Sequence, residues 1–281
     1  MSKKKQKKNK RGNFLLYLIV MAFLLSAFWG YENFTFKVDT VEIQSSKIQN
    51  EVKIVHLSDL HGAKYGKDNS ILVKSIEKQS PDFIVATGDM FSSTKKEEQM
   101  STAVNLLSTL ATKYPVYFVA GEHDRDDEYI TQLKNAKVKV IENERIDIGN
   151  ITLYGTNRVY FPEGYDVSED FESLNKEKFN LLLAHVPQFE YYTNFGFDLV
   201  LSGDIHGGIA DIPFVGIANY DGEWFPERNQ SFDENDTPIK GLYKGNDISY
   251  TYVSGGLGNY PAPVRFMNRP EYGVITLKNK G

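Results

Sequence analysis

Residues 52–62 read Val-Lys-Ile-Val-His-Leu-Ser-Asp-Leu-His-Gly and form the most informative stretch of the chain. The first six are mostly apolar and rich in β-branched side chains, which predicts a buried strand. Asp59 and His61 follow directly, where that strand would end. In open sheets of parallel strands, ligands bind outside the carboxyl ends of the strands. The stretch therefore predicts a strand whose end carries chemically active side chains.

Strand-like and helix-like patterns alternate after this stretch. Strands are predicted at 52–57, 83–86, 116–119, 138–141, 151–154, 179–183, 199–201, 248–253 and 274–277, and helices at 69–79, 96–112 and 127–135. The first half is thus α/β and the second half is rich in strands. Residues 211–247 are rich in Pro, Gly, Asn and aromatic residues, and we expect a long loop there that shapes a binding mouth.

Acidic residues and imidazoles follow five of the predicted strands. They are Asp59, His61, Asp89, Glu122, His123, Asp124, His185, Asp204 and His206. One such residue alone is more typical of a turn or of a buried, hydrogen-bonded histidine. Five strand ends carrying carboxylates and imidazoles together indicate a metal centre for hard or borderline cations. His56 lies within the first strand, and we expect a structural role for it.

The motifs Asp59-Leu60-His61, Gly88-Asp89, Gly121-Glu122-His123-Asp124, His185 and Gly203-Asp204-Ile205-His206 resemble those of the calcineurin-like metallophosphoesterases. The pattern of that superfamily runs D-x-H, G-D, G-N-H-[DE], H and G-H-x-H. The resemblance covers roughly residues 50–280 and looks like the membrane-associated bacterial subgroup, which is similar to phosphodiesterases and to enzymes that cleave lipid-linked diphosphates. It implies an α/β fold, a four-layer αββα sandwich, with two metals at the strand ends.

The resemblance also implies which residues bind each metal. The first metal would be held by Asp59, His61, Asp89 and His206, and the second by Asp89 as a bridge, Glu122, His185 and Asp204. Two positions depart from the family pattern: Glu122 stands for an asparagine and Asp204 for a histidine. Both replacements are oxygen donors, so we expect a changed second site rather than a lost one. Two alternatives would leave the centre with a single metal. The two carboxylates could share a proton, or Asp204 could pair with a nearby basic residue.

Four carboxylates at the site favour two divalent ions of the Mn²⁺ or Mg²⁺ type, with iron, zinc and calcium as alternatives. The implied mechanism is two-metal hydrolysis by hydroxide attack on the phosphorus. His123 would protonate the leaving oxygen, and Asp124 would orient the imidazole of His123. The alternative for Asp124 is that it caps a helix. Asn259 and Arg265 could contact the substrate phosphate, and a surface salt bridge is an equal alternative for Arg265.

The N-terminus predicts a membrane anchor. Residues 1–12 contain seven basic residues and no acidic one, and residues 13–31 carry no charge. As a helix, residues 14–31 would span roughly 27 Å, close to the hydrocarbon thickness of a bilayer. The chain is therefore expected to be a single-pass protein of the cell membrane. Its basic cluster predicts that the N-terminus lies in the cytoplasm and that the residues after the anchor lie outside the cytoplasm. A cleaved signal peptide is the alternative.

Four segments are therefore expected: a basic cytoplasmic tail at 1–12, a transmembrane anchor at 13–31, a juxtamembrane segment at 32–49 and a metallophosphoesterase domain at 50–281. Beyond the anchor, 25 basic residues face 37 acidic ones, a net charge of about −12. This charge argues against nucleic acid as a partner. The chain has no cysteine, which excludes disulfides, thiolate catalysis and cysteine-ligated zinc.

The sequence thus predicts a membrane-anchored, metal-dependent phosphoesterase. Its substrate would be a phosphate monoester, diester or diphosphate ester, with an envelope- or lipid-linked ester as one candidate. A metal-binding regulatory relative that has lost hydrolysis is the first alternative. A structural envelope protein without metal is the second.

Overall fold

The computed structural model describes residues 2–92, 97–162, 164–208, 210–212, 216–218, 239–245, 249–260 and 264–281. The helices within these ranges are α1 (Ser2–Phe34), α2 (Ser70–Gln79), α3 (Glu97–Ala111), α4 (Asp127–Asn135) and α5 (Phe189–Phe195). The strands are β1 (Lys37–Ser45), β2 (Val52–Leu57), β3 (Phe83–Ala86), β4 (Val116–Phe118), β5 (Lys139–Val140), β6 (Glu144–Ile148), β7 (Ile151–Thr156), β8 (Phe179–Ala184), β9 (Leu199–Ser202), β10 (Ala210–Ile212), β11 (Gly216–Ala218), β12 (Gly241–Lys244), β13 (Tyr250–Val253) and β14 (Glu271–Asn279).

Most of these strands belong to two six-stranded sheets. The first sheet has the order β1-β14-β2-β3-β4-β5, and the second has the order β12-β13-β9-β8-β7-β6. Strands β2 to β5 run parallel to one another, as do β7, β8, β9 and β13. The parallel strands of each sheet therefore end at a common edge, which is where polar side chains follow them.

The two sheets pack face to face, and helices cover their outer faces. In β2, Ile54 faces the core between the sheets, while Val55 packs with the helices α2, α3 and α4. In β8, Leu181 faces the same inter-sheet core, while Leu182 packs on the opposite side with Tyr192 of α5. Both faces of the parallel strands are thus buried, which explains their nearly continuous apolar sequences. This architecture confirms the predicted four-layer αββα sandwich.

Most predicted elements match the structure within two residues, and β2, β3 and α4 match at both ends. Three of the elements not predicted are β1, β6 and α5. The predicted loop excursion at 211–247 lies mostly outside the described residues. Its described parts include a short antiparallel pair, β10 with β11, and the edge strand β12, which pairs with β13.

Strand β1 carries the chain from α1 directly into the first sheet. It pairs in parallel with β14 over its whole length, from Lys37 opposite Glu271 to Ser45 opposite Asn279. The carboxylate of Glu271 is buried, lies 2.9 Å from the ammonium groups of both Lys37 and Lys240, and accepts a hydrogen bond from Gly255 N–H. These ion pairs compensate the burial of the carboxylate and fix the start of both strands.

Helix α1 precedes the sandwich. Its residues Gly12–Phe34 are long and apolar enough to cross a membrane, and the most apolar 18-residue stretch among them is not buried against the rest of the described chain. This agrees with the apolar N-terminal helix predicted from the sequence.

Helix α2 offers a test of the packing between the helices and the first sheet. Ile76 is fully buried in the core, whereas Ile71 of the same helix is largely exposed. We expect Ile76→Ala to lower the free energy of unfolding by about 2–5 kcal/mol, because it removes buried methyl groups and leaves a cavity. The control Ile71→Ala should change it by less than about 0.5 kcal/mol. Denaturant titration of the full chain in detergent measures both, and equal effects would contradict the packing described.

Candidate metal centre

Strand ends of both sheets deliver their side chains to one place. The first sheet contributes Asp59 and His61 after β2, Asp89 after β3, and Glu122, His123 and Asp124 after β4. The second sheet contributes His185 after β8, and Asp204 and His206 after β9. The parallel strands of the two stacked sheets present their carboxyl ends to the same crevice, as expected for an open α/β sheet.

Three overlapping groups of side chains have ligand atoms within 4.8 Å of one another and could each hold a metal ion. They are Asp59 with His61 and His206, His61 with Asp89 and His123, and Asp59 with Asp89 and His185. Asp59, His61 and Asp89 each belong to two of these groups. The groups therefore form one continuous cluster of donors rather than three separate sites.

The carboxylate of Asp89 lies at the middle of this cluster. Its Oδ2 atom lies 3.4 Å from Nε2 of His185, 3.8 Å from Nε2 of His123 and 4.0 Å from Nε2 of His61. Its Oδ1 atom accepts a hydrogen bond from the backbone N–H of His123 at 3.0 Å. One carboxylate thus faces imidazoles from three strand ends and from both sheets.

Hydrogen bonds at the far side of two rings define which nitrogen faces the cluster. Nδ1 of His185 lies 2.7 Å from the carbonyl oxygen of Thr87. A carbonyl only accepts, so Nδ1 carries a proton and Nε2 is the nitrogen that faces the carboxylates. That Nε2 is buried and has no hydrogen-bond partner among the described residues. Nδ1 of His61 lies 3.0 Å from Ser92 Oγ, and its Nε2 lies 3.2 Å from Nε2 of His206.

Burial makes the charge state of the cluster sensitive to a cation. Burial raises the pKa of Asp59 to about 7, against the attraction of His185. Burial lowers the pKa of His61 to about 3 and the pKa of His206 well below its usual value. Burial would also raise the pKa of Asp89, but His185 outweighs it and holds that pKa below its usual value. Burial would lower the pKa of His185, but Asp89 outweighs it and raises that pKa well above its usual value. The carboxylates thus lie where a divalent cation would supply the positive charge they lack, beside the neutral imidazoles of His61 and His206.

Backbone conformation at the centre is unusual. Five of its residues have a positive φ: Asp59 (51°), His61 (45°), Asp89 (52°), Asp204 (73°) and His206 (56°). This left-handed region is sparsely populated by residues other than glycine and costs of order 1–3 kcal/mol per residue. Such conformations persist at functional sites where the surroundings determine them, and here they turn the side chains inward from the strand ends.

Two glycines of the motifs are explained by close approach between the strand-end loops. A Cβ atom on Gly121 would collide with Oδ1 of Asp89. A Cβ atom on Gly203 would collide with Oγ of Ser58 and with Oδ2 of Asp59. Glycine at these positions therefore lets the loop after β4 pack on the loop after β3, and the loop after β9 on the loop after β2.

The two residues that depart from the family pattern lie in different surroundings. Oδ1 of Asp204 lies 3.5 Å from Nε2 of His185, and its backbone N–H donates to Oδ1 of Asp59 at 3.2 Å. The side chain of Glu122 is 62% exposed, lies outside the three groups, and has its Oε1 atom 3.3 Å from Nε2 of His123. Asp204 thus borders the cluster, whereas Glu122 borders the imidazole at its rim.

Asp124 is fully buried and holds two loops together. Its carboxylate accepts hydrogen bonds from three backbone amides, those of Asp89, Met90 and Gly121. The helix-capping alternative is wrong, because Asp126 caps α4 by accepting from Tyr129 N–H at 2.9 Å. The hydrogen bonds described for Asp124 do not include the imidazole of His123. Its influence on that ring therefore runs through the loop.

Arg265 and Asn259 lie beside the centre rather than in it. The guanidinium of Arg265 is buried and donates to the carbonyl oxygens of Gly255, Gly258, His206 and Asn268. Burial rules out the surface salt bridge considered for it. The side-chain amide of Asn259 donates to the carbonyl of Asn33 at 3.3 Å. A substrate contact by either residue stays a prediction.

Three residues near the centre were not predicted from the sequence. The ring of Tyr260 stacks on His61, with 4.4 Å between centroids and 18° between planes, and lies 5.2 Å from the ring of His123. Ser92 and Thr87 contact the far side of the imidazoles. In the sequence, only their positions next to motif residues could have indicated them: Thr87 precedes Gly88-Asp89, and Tyr260 follows Asn259. His56 is buried in β2 against Thr87 Oγ1 at 2.7 Å, which agrees with a structural role.

The sequence is similar to those of known proteins. The family model described as calcineurin-like phosphoesterase matches residues 52–208. An uncharacterized metallophosphoesterase of Campylobacter jejuni is 28% identical, over 98% of this chain and 74% of that protein. An uncharacterized metallophosphoesterase of Aquifex aeolicus is 28% identical, over 93% of this chain and 99% of that protein. A Bos taurus transmembrane protein with a metallophosphoesterase domain is 26% identical, over 86% of this chain and 57% of that protein.

The crystal structure of TT1561 of Thermus thermophilus superimposes with a TM-score of 0.50 at 14% identity, over 74% of this chain and 90% of that one. At this identity the likeness concerns the fold alone. The matched residues 52–208, by contrast, include every strand end that contributes to the cluster. The chain therefore belongs to the calcineurin-like phosphoesterases, which are metal-binding hydrolases that act on phosphoric ester bonds.

Proposed function

We propose that this protein is a membrane-anchored phosphoesterase that works with two divalent cations at its strand ends. The observation that carries the proposal is the position of Asp89, whose Oδ2 atom lies within 4.0 Å of Nε2 of three imidazoles. A carboxylate surrounded in this way by ligand nitrogens of both sheets is suited to be shared by two cations. The other carboxylates and imidazoles complete the two sets.

One cation would be held by Asp59, His61, Asp89 and His206, and the second by Asp89, His185 and Asp204, with Glu122 as a further donor. When bound, the cations stabilise negative charge on a phosphate and lower the pKa of bound water. A donor set this rich in carboxylates favours Mn²⁺ or Mg²⁺.

His123 would deliver a proton to the leaving oxygen. Its side chain is 21% exposed, so part of the ring can meet a substrate that enters from solvent. Its backbone N–H is fixed on Asp89, and Asp124 holds the loop that carries it. An imidazole can give up a proton near neutral pH, which suits it to this step.

We further propose the arrangement of the chain in the membrane: a cytoplasmic tail at 1–12, an anchor at 13–31, a juxtamembrane segment at 32–49 and an extracytoplasmic catalytic domain at 50–281. The uncharged helix behind a basic cluster supports this orientation. Since such an anchor keeps the centre beside a bilayer, the substrate would be a phosphate ester of the envelope, with a lipid-linked ester as the leading candidate.

A metal-dependent regulatory protein without hydrolysis is the second candidate. It is favoured by the exposure of Glu122, which leaves the second set of donors with fewer close members than the first. Turnover separates the two candidates, because only the first requires it.

The two buried histidines that contact Thr87 provide a matched test of metal binding. His185 would be a ligand and His56 would not, although both side chains are buried. We expect His185→Ala to weaken Mn²⁺ binding at least about tenfold, because it removes a ligand nitrogen. His56→Ala should lower stability and leave the metal content of the purified full chain unchanged. Elemental analysis and Mn²⁺ titration measure this, and equal metal content in both variants would contradict the proposed ligand set.

His123 provides a test of catalysis. With Mn²⁺ present, we expect the full chain to hydrolyse a chromogenic phosphodiester or phosphomonoester, and His123→Ala to lower kcat by about 10²–10⁴-fold because the leaving oxygen loses its proton donor. Metal content should stay unchanged in that variant. Should the wild type turn over neither ester with any divalent cation while still binding metal, the regulatory candidate would stand instead.

The two unusual carboxylates can be tested together. Replacing Asp204 by His and Glu122 by Asn restores the donor types of the family pattern. We expect this double variant to shift metal preference away from Mn²⁺ and Mg²⁺ and toward zinc or iron, because an imidazole nitrogen replaces one carboxylate and a neutral amide oxygen replaces the other. Competition between Mn²⁺ and Zn²⁺ followed by elemental analysis measures the shift. Unchanged metal content and activity would show that neither residue is a ligand.

A further inference from the structure

We propose that the loop at 264–269 and the last turns of α1 form one surface that lies on the bilayer which α1 crosses, so that the mouth of the metal centre is held at the level of the lipid headgroups. This inference rests on the proposed anchor and goes beyond it. An anchor alone leaves the distance between a catalytic domain and the membrane open, and the contacts described here fix that distance.

The side chain of Asn33 fastens the end of α1 to this loop. It is buried, and it accepts a hydrogen bond from Arg265 N–H at 2.6 Å and donates one to the carbonyl of Arg265 at 3.0 Å. Both backbone groups of Arg265 are thus paired by one amide side chain. The carbonyl of Asn33 in turn accepts from the amide of Asn259 at 3.3 Å. The helix end is therefore part of the folded domain rather than a free tether.

The loop reaches back along α1 into its uncharged part. The ring of Phe266 packs edge-on against Phe28, with 5.9 Å between centroids. Phe28 lies four residues before Glu32, the first charged residue after the basic tail. At about 1.5 Å per residue, Phe266 therefore sits roughly 6 Å on the membrane side of that charge. A side chain at this depth beside a membrane-crossing helix meets the bilayer interface.

The side chains of the loop are distributed as a membrane contact requires. Val264, Phe266 and Met267 are apolar and between 39% and 46% exposed, while Arg265 between them points into the domain. The guanidinium of Arg269 lies 4.4 Å from the ring centre of Tyr31, at the polar end of the helix. Apolar side chains next to an aromatic residue and a cation form the arrangement that favours the boundary between acyl chains and anionic headgroups.

The same loop contacts the metal centre. The guanidinium of Arg265 donates to the carbonyl of His206 at 3.1 Å and to the carbonyl of Gly258. Two residues after Gly258, the ring of Tyr260 stacks on His61. Arg265 therefore links Asn33 directly to the backbone of His206 in the metal centre. A phosphate at headgroup depth would lie within reach of the centre, which favours an ester that remains embedded in the membrane.

The absence of cysteine makes the surface directly testable in the full chain. Single cysteines are placed at Phe266 or Val264, at Leu24 within α1, and at Glu177 as an exposed control. Glu177 lies just before β8 and therefore at the sheet edge opposite the metal centre. Each is labelled with an environment-sensitive fluorophore after reconstitution into vesicles of phosphatidylethanolamine and phosphatidylglycerol. Spin-labelled lipids then quench at known depths. We expect headgroup-level lipids to quench the labels at 264 and 266 at least about twofold more than the label at 177.

The outcomes separate this inference from the proposed anchor. Quenching at Leu24 by acyl-chain spin labels reports insertion of α1, whatever the loop does. If Leu24 is quenched while positions 264 and 266 behave like position 177, the anchor stands and the docking surface is refuted. If the labels at 264 and 266 respond to protein concentration instead of to lipid depth, a second copy of the chain occupies the surface and the inference is equally refuted. Agreement between two loop positions guards against a local effect of either substitution.

Discussion

The buried carboxylate of Asp124 joins the loops after β3 and β4, and the geometry of the metal centre depends on it. By accepting from the amides of Asp89, Met90 and Gly121, it holds the backbone of Asp89 in a left-handed conformation. That conformation turns the Asp89 side chain toward three imidazoles. The contact between loops is possible only because Gly121 lacks a Cβ atom. Asp124, which need not touch metal or substrate, thus sets the position of Asp89, the carboxylate that faces three of the imidazoles.

The centre is divided between the two sheets, and the inter-sheet core keeps its halves in register. Asp59, His61, Asp89 and His123 follow strands of the first sheet, while His185 and His206 follow strands of the second. Ile54 of β2 and Leu181 of β8 lie in the apolar layer that joins the sheets. The distance between the donors of the first sheet and those of the second is therefore set by the packing of that layer. Such a protein interior is packed as densely as a molecular crystal.

Much of this fold and centre was predictable from the sequence, because strands buried on both faces have long apolar runs and β2 and β3 are such strands. Strand β1 was missed because it is an edge strand of alternating polar residues with a single buried side chain, Ile43. The spacing of residues in the sequence also could not predict the directions in which the side chains of Glu122 and Asp124 point. These two residues are two positions apart, yet one is exposed and the other is buried, because the turn that carries them is shaped by contacts with a different loop. Tyr260 was missed for the related reason that stacking, unlike ligation, has no fixed residue pattern.

The parallel pairing of β1 with β14 has a mechanical meaning. Helix α1 enters β1 after two residues, and β1 is bonded to β14 over nine consecutive positions. A force drawn along the anchor would load these hydrogen bonds side by side in shear, rather than opening them one at a time. Lateral drag or tension in the membrane would thus be taken up by the edge of the first sheet. The strained loops around the centre, which begin two strands further in, would remain unloaded.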